Sequence, residues 1–254
     1  MLRFVCGIVF ISFFALCNVA VASTDNLEPK EVNWPFEGYL GYNDKAAAQR
    51  GFQVYKQVCA ACHSLKRMSY RNLAKLGFSE KEIKAVAAEY SVTDGPNDDG
   101  EMFKRPALPS DAFVSPFDND QAARAANNGA LPPDLSLIVK AREDGANYIY
   151  SILTGYKDAP KDFHLSSGMN YNPYFPGHQI AMPAPLAENA VTYQDGTVAT
   201  ADQMARDVVT FLQFAAEPEM EQRKEAGIKV LIYLAIFTIL FYLAKRAIWR
   251  DITR

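Results

Sequence analysis

The sequence predicts a mostly α-helical domain followed by a single C-terminal membrane helix. Two stretches, NDKAAAQRGFQVYKQV and TADQMARDVVTFLQFAAEP, place apolar residues at helical spacing behind capping residues. A third, AGIKVLIYLAIFTILFYLAKRAIW, is apolar all round rather than striped, which suits lipid on every side. The 254 residues are 49% hydrophobic and 22% charged, enough for one large domain or two small ones and incompatible with disorder throughout.

The chain opens with Arg3, an apolar run from Phe4 to Leu16 and the small-residue site Ala20-Val21-Ala22. This pattern predicts a secretory signal over residues 1–22, cleaved to leave Ser23 first; thirteen apolar residues are too few to cross a bilayer. A mitochondrial presequence would be richer in Arg and Ser, so export in a bacterium is the expectation. An uncleaved N-terminal anchor is the alternative. Cys6 and Cys17 depart with such a signal and leave Cys59 and Cys62, too few for a disulfide scaffold.

The first helix is expected to begin at Asn43 or Asp44 and to continue through VYKQVCAACH, stacking Cys59, Cys62 and His63 on one face. Two thiols three apart with a histidine directly after the second form C-x-x-C-H, the attachment signal for haem c. Structural zinc needs four ligands, and the other histidines, His164 and His178, lie a hundred residues away. A thioredoxin-type dithiol needs a strand before its helix, and none is visible. With His63 on one side of the iron, a second ligand is needed. Met68 is too close in sequence to reach the other side, and Met204 belongs to the core face of the second helix. That helix starts on a capping box, Thr200 with Gln203, and stops before Pro218. Met182, in the Pro-rich loop PGHQIAMPAPL, is the better candidate; His178 is its rival, and His164 and His178 otherwise read as exposed loop residues.

The C-terminal helix is assigned to residues 226–249, about 36 Å at 1.5 Å per residue against a hydrocarbon core of about 30 Å. Lys229 and Lys245 can snorkel at its ends, and Tyr233, Tyr242 and Trp249 suit the interfaces. The basic flanks orient it weakly. The export signal puts residues 23–225 in the periplasm and residues 250–254 in the cytoplasm, so the chain is a single-pass protein of the bacterial inner membrane.

Taken in order, RGFQVYKQVCAACHSLKRMSYRNL, DGPNDDGEMFKRP, AARAANNGALPPDLSLIVKAR, YIYSILTGY, NPYFPGHQIAMP and DVVTFLQFAAEPE resemble the cytochrome c1 family over nearly the whole mature chain. The resemblance implies a class I cytochrome c-like haem domain with long loop insertions ahead of the anchor. It implies thioether links at Cys59 and Cys62 and axial ligation by His63 and Met182. It also places Asn127, Pro133 and Arg142 along the haem with Tyr148 nearby, Arg142 answering a propionate. His63 and Met182 are 119 residues apart, farther than a small soluble cytochrome needs. The extra cysteine pair of mitochondrial relatives is missing here, and bacterial members do without it.

By the same resemblance the chain is an electron-transfer subunit of the quinol–cytochrome c oxidoreductase (bc1) complex, not catalytic alone. It sits beside cytochrome b, takes electrons from the Rieske iron–sulfur protein and passes them to cytochrome c. A subunit of another membrane oxidoreductase, or a haem enzyme or gas sensor with a displaceable distal ligand, is the competing class. Residues 88–120 carry eight acids against Lys104 and Arg105, so a basic cytochrome c is expected to dock around Asp98, Asp99 and Glu101. No nucleotide-binding glycine motif and no internal repeat occurs, and no nucleic-acid partner is expected.

Overall fold

The computed structural model describes residues 27–250. The expected signal peptide and its cleavage point lie outside these residues, as does the expected tail apart from Arg250. The fold is mostly helical. Helix α1 is Lys45–Val54, α2 Glu80–Ala88, α3 Asp120–Ala126, α4 Gly145–Thr154, α5 Ala201–Ala216 and α6 Met220–Arg250. Two small antiparallel hairpins interrupt them: β1 (Ser91–Asp94) with β2 (Phe103–Pro106), and β3 (Asn170–Tyr171) with β4 (Gln179–Ile180). A 3-10 segment, Tyr70–Leu76, precedes α2.

The core is organised where α1 crosses α5. Asp44 caps α1 by accepting the Ala47 N–H at 3.0 Å, and Thr200 caps α5 by accepting the Gln203 N–H at 3.1 Å. The expected capping box is only half made, because the Gln203 amide donates instead to Asp207 at 3.1 Å. Gly51 lets the two helices touch: a Cβ there would lie 1.9 Å from the Asp207 carbonyl oxygen. Around this contact Phe52 packs on Phe211, Phe78 and Phe113, with ring centroids 5.5–6.1 Å apart. Met204 is wholly buried, as its helical spacing implies. A forked ion pair ties the helices together, with Arg50 donating to both Asp207 oxygens at 2.9 Å and to Asp195 at 3.0 Å.

Helix α1 does not run on regularly through the cysteines. Its α-turns stop at Val54, and Tyr55–Cys59 forms one wider π-turn closed by Ala60 N–H to the Tyr55 carbonyl at 2.8 Å. A tight turn follows, in which the His63 N–H still reaches the Cys59 carbonyl at 2.9 Å. Tyr55, buried against Phe113 and Phe211, fixes the end of this turn by donating its hydroxyl to the His63 carbonyl at 3.1 Å.

Helix α6 begins six residues before the apolar run. Apolar composition marks only the exposed later part, whereas the first turns are polar and fasten the helix to the domain. Met220 is buried, Asn43 N–H donates to Glu221 at 2.7 Å, and Lys224 donates to the Phe36 and Gly41 carbonyls at 2.7 and 3.1 Å. Beyond this collar the helix is exposed throughout, and its length and hydropathy suffice to cross a membrane.

Candidate haem-binding site

Cys59 and Cys62 are free thiols, half-buried on the turn that ends in His63. Burial, with Cys62 adding to it, pushes the Cys59 thiol up to about 12. The His63 ring is fixed from outside its own segment. Its Nδ1 lies 2.8 Å from the Pro133 carbonyl, which can only accept, so Nδ1 carries the proton and Nε2 keeps a free lone pair. Burial lowers the imidazole's proton affinity; the Pro133 carbonyl and Asp134 oppose that only partly. A neutral imidazole held by a backbone carbonyl is how an iron-binding histidine is set.

The segment carrying Pro133 is stitched onto the one carrying His63. Asp134 accepts from the Ser64 hydroxyl at 2.7 Å, the Lys66 N–H at 2.8 Å and the Ser136 N–H at 2.9 Å. Ser136 Oγ accepts the Arg67 N–H at 3.0 Å, and Leu135 N–H meets the Ser64 carbonyl at 2.9 Å. Burial raises the Asp134 pKa, but the bonds from Lys66, Ser136 and Ser64 outweigh it and leave the carboxyl below its usual range.

Met182 follows β4 in an irregular loop and is half-buried. Its carbonyl accepts from the Tyr156 hydroxyl at 3.0 Å and the Asn170 amide at 3.3 Å, so the end of α4 and the β3–β4 hairpin both locate it. Burial raises the Tyr156 phenol, which stays a donor. The rival His178 is not simply exposed. It has φ +58°, its ring packs against Phe163 and Tyr171, and Nδ1 lies 3.2 Å from the Pro173 carbonyl. His164 is exposed, as its sequence context implies.

Among the remaining candidates, Pro133 is joined to His63 as described, and Arg142 and Tyr148 are neighbours. Burial raises the Tyr148 phenol while the Arg142 charge opposes it. Arg142 is exposed on a bend, its side chain donating to the Ala141 carbonyl at 3.0 Å. Asn127 closes α3 by donating to the Ala123 carbonyl at 2.7 Å. Four residues that the sequence does not flag hold the site: Asp134, Ser136, Tyr156 and Asn170. Only Asp134 leaves a local trace, an Asp-x-Ser turn in which its carboxylate meets the N–H two residues on.

The acidic stretch resolves into two parts. Arg105 takes up Asp94 and Asp111, the latter at 2.6 Å, and Lys56 takes up Glu89 at 2.7 Å. Asp98, Asp99 and Glu101 sit exposed on the β1–β2 loop, ordered by Asn97, whose side chain accepts the Asp99 and Glu101 N–H groups at 3.0 and 2.8 Å. Arg105 is therefore not a counter-charge to that trio.

Among the described residues no group of three His, Cys, Asp or Glu side chains is arranged to hold a metal ion by itself. The donor set is two unbridged thiols and one tautomer-locked imidazole within five residues, which fits a group attached through sulfur and bound through one nitrogen.

Known proteins resemble this chain over most of its length. A family profile described as "Cytochrome C1 family" matches residues 34–252. The chain is 48% identical over 254 residues to a protein named cytochrome c1 from Rhodospirillum rubrum, covering 94% of this chain and 93% of that one. It is 50% identical over 232 residues to the "Cytochrome b-c1 complex catalytic subunit, mitochondrial" of Candida albicans, covering 91% and 81%. It is 45% identical over 254 residues to a protein named "Cytochrome b/c1" from Bradyrhizobium diazoefficiens, covering 91% of this chain but 37% of that longer one. By its sequence match, and with a mostly helical fold ending in a helix long and apolar enough to cross a membrane, the chain belongs to the cytochrome c1 family.

Proposed function

We propose that this chain is the haem c electron-transfer subunit of a bacterial bc1 complex, receiving single electrons from a Rieske iron–sulfur protein and handing them to cytochrome c. Covalently bound haem c is the cofactor of its family. The observation that carries the reading is the lock between His63 and the Pro133 carbonyl directly behind two free thiols. Cys59 and Cys62 would attach the group through sulfur, His63 Nε2 and the Met182 thioether would bind its iron, and Arg142, with Asn127, Pro133 and Tyr148 nearby, would answer its carboxylates. Bound haem c supplies an iron centre that gains and loses one electron. The protein holds the imidazole in one tautomer and presents a soft sulfur that favours the reduced state. With His63 and Met182 both bound to it, the iron would have no free position, which favours electron transfer over oxygen or peroxide chemistry.

Residues 1–22 are removed on export, residues 23–225 form the periplasmic domain, 226–249 cross the inner membrane once beside cytochrome b, and 250–254 remain in the cytoplasm. N-terminal sequencing that returned Met1 instead of Ser23 would end the cleavage reading. The basic cytochrome c docks at Asp98, Asp99 and Glu101. Replacing Met182 with Leu tests the site: haem stays attached, the potential falls and the reduced iron opens to carbon monoxide. A variant that keeps its potential and stays closed to the gas assigns the ligand elsewhere. Co-purification of the tagged chain with cytochrome b and a Rieske protein tests the complex, and their absence would point to a different membrane oxidoreductase.

A further inference from the structure

The loop between Phe36 and Asn43 exposes three large residues at the foot of the domain: Tyr39 is 87% exposed, Leu40 83% and Tyr42 58%. It is not loosely attached. Trp34 and Phe36, both buried and stacked 5.3 Å apart, anchor its start. Gly38, at φ +68°, turns the chain, and Tyr42 N–H returns to the Pro35 carbonyl at 2.9 Å. The loop is also bolted to the membrane helix, since Lys224 holds the Phe36 and Gly41 carbonyls and Glu221 holds the Asn43 N–H.

That bolt fixes its depth. A hydrocarbon core of about 30 Å takes about 20 residues of helix, which Ile228 to Ala247 supply. Lys224 is four residues before Ile228, about 6 Å further out at 1.5 Å per residue. The headgroup layer is roughly 5–8 Å deep on each face, so the loop hangs at that level. Two tyrosines flanking a leucine suit this layer, where rings and apolar groups are buried while hydroxyls stay wet. Water would leave all three groups exposed for no gain.

We infer that Tyr39, Leu40 and Tyr42 form a second membrane contact, a lipid-facing loop that enters the outer interface beside α6. With α6 alone the domain could swivel about one helix; the loop makes the attachment two-point and sets the domain's tilt and height. The inference rests on α6 crossing the bilayer, and its test separates the two. The full haem-loaded chain is placed in phosphatidylcholine–phosphatidylglycerol vesicles with single nitroxide labels on Tyr39→Cys, Leu40→Cys, Ile236→Cys or Val198→Cys. Ile236 lies near the middle of the span, and Val198 is exposed just before the far end of α5. Collision with oxygen, which enters lipid, is compared with collision with a water-soluble nickel chelate. Labels at 39 and 40 are expected to show nickel access severalfold below that at 198, with oxygen access raised toward that at 236. Nickel access equal to that at 198, with 236 lipid-like, overturns the loop contact and leaves the span standing. Nickel access at 236 would refute the span itself. The same labels in the intact complex address the other occupant: exclusion of both reagents there means that cytochrome b covers the loop, and it overturns the lipid assignment.

Discussion

Replacing Asp134 should loosen the site without touching a proposed haem contact. Its carboxylate is the single acceptor for the Ser64 hydroxyl, the Lys66 N–H and the Ser136 N–H. Lys66 is exposed, so water can replace the bond to its N–H. Ser64 and Ser136 are buried and would keep unsatisfied donors in Asp134→Ala. At about 1–3 kcal/mol for each of these two buried groups left unpaired, the variant loses roughly 2–6 kcal/mol. Asp134→Asn keeps one carbonyl oxygen for Ser64 and Lys66 but turns an NH2 toward the Ser136 N–H, so about half that loss is expected. Guanidinium unfolding of the haem-loaded, detergent-solubilised chain, followed by haem absorbance, measures both. The aspartate carboxyl lies below its ordinary value of 3.8, so its stabilisation is full above that value and fades as pH falls through it; neither variant should retain that dependence. Asp134 also raises the proton affinity of His63, so removing its charge makes the ligand less electron-rich and the reduction potential should rise in both variants. An unchanged unfolding midpoint in Asp134→Ala, or a potential that falls, would refute this account.

Three further outcomes follow from the same geometry. Arg50→Ala leaves Asp207, whose side chain is 1% exposed, without its counter-charge and should cost about 3–5 kcal/mol, whereas Arg50→Met with Asp207→Leu should recover much of it in the same unfolding assay. Arg223 and, at 2.9 Å, Lys140 hold the Glu217 carboxyl down to about 2 against the effect of burial. Its contribution is therefore present above its ordinary value of 4.5 and is lost as pH falls toward 2, and Glu217→Gln should flatten unfolding midpoints measured across that window. Neutralising Asp98, Asp99 and Glu101 together should slow electron transfer to a basic cytochrome c and flatten its salt dependence, because the Debye length shrinks from about 30 Å at 0.01 M to about 10 Å at 0.1 M. Parallel rate-against-ionic-strength curves for wild type and triple variant would move the docking surface elsewhere.

Much of the fold was legible because its signals are local. Asp44 before α1 and Thr200 before α5 read correctly as caps, since a cap bonds within its own first turn. The continuation of α1 through the cysteines did not, because the π-turn is held by Tyr55 packing on Phe113 and Phe211, and nothing inside CAACH announces that contact. The acidic stretch was legible as a sum but not as a surface, because sequence spacing does not say that Arg105 faces Asp94 across the hairpin and Asp111 beyond it.

The C-x-x-C-H motif, the two amphipathic helices and the apolar run are written in the sequence because each depends on residue types within one or a few turns. The tertiary structure alone decided what those elements hold. His63 is fixed by Pro133, Ser64 by Asp134, Met182 by Tyr156 and the membrane helix by the Phe36 carbonyl, at separations of 70, 70, 26 and 188 residues. In three of these four bonds the acceptor is a backbone carbonyl, a group every residue carries, so no side chain marks the position; only the tertiary packing brings the partners into range.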